Sequence, residues 1–135
     1  MRRLAVTVTF LLAAASSAAA AGNGAPTALP DCSGKPQVKP TSVTLTCADA
    51  GLTVGKLAWT GWGSSFAAAT GVESVNDCKP NCAAGHFHAY RVVLVASGSQ
   101  RCAGGVAAYK TVTLAYEVKN PGIASTPSAW SFRCH

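Results

Sequence analysis

The chain has 135 residues, 49% of them hydrophobic and 12% charged, with eleven Lys/Arg against five Asp/Glu and six cysteines. That size is expected to hold one domain with a modest core. The cations are scattered from Lys35 to Arg133 without a run, which excludes a basic nucleic-acid groove and leaves a solvated surface or attraction to acidic cell-wall polymers.

The first segment has the form of a secretory signal peptide: Arg2 and Arg3, an apolar stretch over 4–15, then small residues over 16–21. Ala19 and Ala21 satisfy an A-x-A rule, so the mature chain is expected to start near Gly22. The stretch is too short and Ala-rich for a spanning helix, which needs about 20 strongly apolar residues. Nothing after it could span, so no membrane association is expected once it is cleaved. Cys32 lies in no lipobox-like setting. Subtracting Arg2 and Arg3 leaves a net charge of +4.

Residues 22–40 are rich in Gly, Pro and Ala without periodicity and are expected to form an irregular arm, followed by a β domain over 41–135. Residues 41–47 alternate, with Val43, Leu45 and Cys47 on one face, as a half-buried strand requires. A turn at Asp49 and Gly51 leads into a second strand over 52–59, making a hairpin. Gly61-Trp62-Gly63 marks a bulge or corner, and 65–76 is a third extended stretch with small side chains. A cysteine-bounded loop over 77–85 precedes a strand from His86 through the apolar run Val92-Val93-Leu94-Val95. Residues 106–118 alternate best, with Val112, Leu114 and Tyr116 on one face and Thr111, Thr113 and Glu117 on the other. A turn at Asn120-Pro121-Gly122 and a final short strand over 129–134 complete the chain. The expectation is an all-β, disulfide-stapled sandwich or barrel-like domain of about six antiparallel strands.

Cys32, Cys47, Cys78, Cys82, Cys102 and Cys134 all follow the signal segment, and an even count in an exported chain reads as three disulfides. No Cys-x-x-Cys pair supports a metal reading. Fifteen pairings are open; the one favoured has Cys78–Cys82 as a local staple, with Cys32–Cys47 and Cys102–Cys134 closing the ends.

Leu45-Thr46-Cys47-Ala48-Asp49, Trp59-Thr60-Gly61-Trp62 and Asn76-Asp77-Cys78-Lys79-Pro80-Asn81-Cys82-Ala83-Ala84-Gly85 resemble a pattern of small secreted actinobacterial proteins. The resemblance runs from about Val43 to Tyr116, and the cysteine–proline loop is its most specific part. It implies export and a disulfide-bonded β domain, and no activity. Arg91, where a proline is usual, and Cys102 depart from the pattern.

Several side chains invite chemistry. His86 and His88 form His-x-His with their Cα atoms about 7 Å apart on one strand face, a spacing that can converge on zinc or copper. A further ligand is needed, and Asp77, Glu73 and His135 are the candidates; the simpler expectation is two polar residues at a strand end. A ribonuclease-like set would use Glu73 as base, His86 or His88 as acid and Arg91 as phosphate clamp. Trp59 and Trp62 could stack a carbohydrate, against the stronger expectation that they pack on the small residues that follow. Lys79 could be offered by a protease-inhibitor loop, on condition that Cys78 and Cys82 are not joined to each other. No nucleophile elbow or phosphate-cradling glycine motif occurs. The overall expectation is a secreted, non-catalytic domain of binding or structural role at or outside the cell wall, its partner a cell-wall polymer or a secreted protein. The alternative is a metal-dependent or ribonuclease-like enzyme centred on His86 and His88.

Overall fold

A computed structural model describes residues 24–117 and 129–135. The signal segment and the expected turn at Asn120-Pro121-Gly122 lie outside the described residues. The strands are β1 (Leu29–Pro30), β2 (Pro36–Gln37), β3 (Val43–Thr44), β4 (Leu52–Thr60), β5 (Phe66–Asn76), β6 (Phe87–Ser97), β7 (Gln100–Arg101), β8 (Ala107–Ala108), β9 (Thr111–Tyr116) and β10 (Ala129–Ser131). Six form one antiparallel sheet in the order β10-β9-β6-β5-β4-β3, curled into a half-barrel. The all-β expectation holds, realised as one curled sheet with a disulfide-bonded periphery.

Alternation decides the concave face. On β5, Ala67, Ala69, Glu73 and Val75 are buried, and on β6 Val92, Leu94 and Ala96 are buried opposite them. Val112 on β9 continues the layer, and Leu114 and Tyr116 pack against it half-buried.

β4 departs from simple alternation. Its pairing with β5 slips between Gly55 and Ala58, so that Lys56 and Leu57 together oppose Gly71. Lys56 takes the extra position with φ +54°. This bulge shifts the apolar phase, so Val54 before it and Leu57 after it both reach the core. Gly71 makes the arrangement possible. A Cβ there would stand 2.9 Å from Gly55 O and from Leu57 Cδ2.

The arm at the N-terminal end contributes to the core. The β1–β2 hairpin is organised by Asp31, whose carboxylate accepts from Ser33 N, Ser33 Oγ, Lys35 N and Gln37 Nε2. Leu29 enters the main core, and Tyr109 N donates to Ala28 O beside a parallel bridge between Ala28 and Ala108. Two indoles hold the arm against the sheet: Trp59 Nε1 donates to Pro40 O and Trp62 Nε1 to Thr27 O, with the rings edge-on at 4.6 Å. The disulfides are Cys32–Cys47, Cys78–Cys82 and Cys102–Cys134. The first ties the arm to the segment after β3, the second closes the β5–β6 loop, and the third fastens the chain end to the loop after β7.

Candidate functional site

The β5–β6 connection is built from side chains that replace missing backbone partners. Asn76 Oδ1 accepts from Cys78 N, and Asn76 Nδ2 donates to Cys82 O. Asp77 Oδ1 accepts from Lys79 N and His86 N, while Asp77 Oδ2 lies 3.0 Å from His88 Nε2. These contacts, led by His88, hold the Asp77 carboxyl well below the usual carboxylate range. Gly85 has no side chain because a Cβ there would run into Asn76 Oδ1 and come within 2.8 Å of Cys78 N.

His88 therefore meets one of its three candidate partners, Asp77, and that carboxylate already holds two backbone amides. His135 lies elsewhere, against Gly34 in the β1–β2 turn. Among the described residues no group of three or more His, Cys, Asp and Glu side chains could hold a metal ion.

Glu73 is placed by register. It pairs with Tyr90 on β6, and Val75 pairs with His88, so Glu73 and His88 share the concave face as diagonal neighbours. Glu73 is fully buried, and its Oε1 accepts from Tyr116 Oη at 2.9 Å. Oε2 is buried without a hydrogen-bond partner. Burial pushes the Glu73 carboxyl up, with the Tyr116 hydroxyl opposing that shift. Burial, together with Glu73, raises the Tyr116 hydroxyl in turn. The rings of Tyr90 and Tyr116 stand edge-on at 6.4 Å beside the carboxylate.

Arg91 pairs with Val72, one position out of phase with Glu73, and so projects from the convex face. The pleat separates the candidate phosphate clamp from the candidate base. Trp62 is half-buried and edge-on to both Trp59 and Tyr109. Lys79 is exposed within the closed Cys78–Cys82 ring, so the condition attached to an inhibitor loop is not met.

The described surface carries several clefts, one of which includes Arg91. One of about 340 Å³ separates the arm from β3, lined by Leu29, Pro30, Cys32, Gln37, Val43 and Thr44 among others. A shallower one of about 270 Å³ on the convex face is lined by Lys56, Thr70, Gly71, Val72, Arg91 and Glu117.

Sequence reasoning passed over Lys56 and the Glu73–Tyr116 pair, and both had a signal. Apolar positions in β4 change from even (Leu52, Val54) to odd (Leu57, Trp59) around Gly55, the signature of a bulge. Glu73 falls in phase with Ala67, Ala69 and Val75, which marks it for the core. No family model, curated protein or solved structure matches this chain. The resemblance to small secreted proteins rests on the quoted motifs alone.

Proposed function

We propose that this chain is an exported, non-catalytic β domain that binds at or outside the cell wall, its disulfides preserving the fold in an oxidising environment. One observation carries the reading. The residues of the candidate ribonuclease set do not meet on one accessible surface: Glu73 is buried under Tyr116, His88 is tied to Asp77, and Arg91 faces the other way. A general base must come within hydrogen-bond reach of the proton that it takes. The three disulfides tie the arm to the segment after β3, close the β5–β6 loop and fasten the chain end, which supports a role for the sheet as a presented surface.

The test has two arms. The mature protein is sedimented with purified bacterial cell walls that retain their anionic polymers, and co-sedimentation is expected. The same preparation is assayed for RNA cleavage with and without Zn²⁺, beside His88→Ala and Glu73→Gln. Cleavage abolished by either substitution overturns the non-catalytic reading, and failure to sediment overturns binding at the wall.

A further inference from the structure

Five acidic side chains face the cations of this chain, and four are engaged elsewhere. Asp31 holds the arm hairpin, Asp49 accepts from Gly51 N, Glu73 is buried with Tyr116, and Asp77 organises the β5–β6 loop. Glu117 is the remaining one. Little internal carboxylate is therefore left to neutralise the basic surface, and the sheet concentrates two cations at one place.

That place is the shallow convex cleft of about 270 Å³. Lys56 reaches it from the β4 bulge, where a non-glycine residue holds φ +54° inside a strand. A left-handed conformation is unfavourable for an ordinary residue, and bulges commonly re-aim a side chain. Arg91 reaches the cleft from β6, directly across from Val72. The Thr70 side chain belongs to the same lining, and Glu117 closes the far rim, its backbone N meeting Arg91 O. Neither Lys56 nor Arg91 has an ion-pair partner among the described residues, although Glu117 lines the same cleft.

We infer that this cleft binds the oxyanion groups, phosphate or carboxylate, of an acidic wall polymer. Arg91 supplies a planar fork of donors, Lys56 a mobile point charge, and Thr70 a hydroxyl donor. The carboxylate of Glu117 limits how deeply an anion can sit and favours a chain passing over the cleft above a small ion held within it. The inference rests on the proposed binding role and gives that role a location.

The probes are soluble poly(glycerol phosphate) and polygalacturonate, which separate phosphate from carboxylate as the source of the oxyanion. Calorimetry with the mature protein is expected to show binding to at least one polymer at about 20 mM salt and clear weakening at about 200 mM, as screening requires. The double substitution Lys56→Gln/Arg91→Gln is expected to lose about tenfold in affinity. The control Lys35→Gln/Lys39→Gln removes the same charge from the arm and is expected to change affinity less than about twofold. Glu117→Gln should strengthen binding. Arg91→Gln alone, which leaves the bulge untouched, must weaken binding in the same direction, so a folding defect at Lys56 cannot imitate the result. Equal losses in the two double variants would overturn the site while leaving wall binding intact. Sedimentation with whole walls but binding to neither polymer would do the same. Failure to sediment with walls is the separate outcome that removes the binding role itself.

Discussion

The Tyr116 hydroxyl on β9 donates a 2.9 Å hydrogen bond to Glu73 Oε1 on β5, reaching past the intervening strand β6. It meets half of the carboxylate's needs and leaves Oε2 buried without a partner. A charged carboxylate is costly in such a setting, and a protonated one much less so.

Folded Glu73 therefore retains its proton at pH values where the unfolded chain, with an ordinary value of 4.5, has released it. The native state binds more protons than the unfolded state, so this contribution is complete below about pH 4.5 and is lost as pH rises through the raised folded value. Glu73→Gln keeps an acceptor for Tyr116 and cannot ionise. Its urea midpoint should gain on the wild type as pH rises above about 4.5, and the gap should level off once the folded carboxyl also ionises. A gap independent of pH would mean that Glu73 is ionised in the fold.

Asp77 has the opposite sign. Its folded value is depressed, so its contribution is present above the ordinary value of 3.8 and is lost as pH falls below it. Asp77→Ala should accelerate amide exchange at Lys79 and His86, whose N–H groups donate to Asp77 Oδ1. Asp77→Asn keeps that oxygen and should retain most of the protection. Equal exchange in the two variants would show that the charge, and not the acceptor, holds the loop.

Gly71 and Gly55 are neighbours across the β4 bulge with unequal tolerance. Gly71→Ala brings a methyl against Gly55 O, Leu57 and Val54 and should cost about 1–3 kcal/mol. Thermal unfolding reads this as a drop of roughly 4–8 °C per kcal/mol for a domain of this size. Gly55→Ala meets nothing within 4 Å and should stay near the wild type. Similar melting temperatures for the two would contradict the packing assigned to the bulge.

Tyr109 is fully buried, its hydroxyl accepting from Gly63 N and donating to Ser64 O in the β4–β5 turn. Tyr109→Phe leaves both turn groups without that partner and should destabilise by about 1–3 kcal/mol, measured by denaturant unfolding. An unchanged midpoint would show that water replaces the hydroxyl.

Much of the fold was legible because alternation needs only nearest neighbours. Val112 and Tyr116 in phase, the run Val92–Val95, and the hairpin around Asp49 and Gly51 each announce a strand or a turn from local chemistry. The strand expected over 41–47 shortens to Val43–Thr44, with Leu45 N still bonded to Leu52 O. Beyond it the chain turns through Thr46, Asp49 and the Cys32–Cys47 bridge. The arm was less legible. Its Gly, Pro and Ala residues carry no period, and only the surfaces of Trp59, Trp62 and Tyr109 give them a place to dock.

The candidate sites divide on the same line. His86, His88, Asp77, Glu73 and Arg91 were visible as residue types, and the loop of Asn76, Asp77 and Gly85 was visible as turn chemistry. The sequence by itself determined an all-β chain with its cysteines spaced for staples, because side-chain period and turn preference are local properties. The tertiary structure decided what those residues can do. Cross-strand register buried Glu73 beside Tyr116, placed Arg91 on the opposite face, and used a bulge to bring Lys56 to the same cleft. Register depends on which strands meet and where they slip, and no single stretch of sequence contains that information.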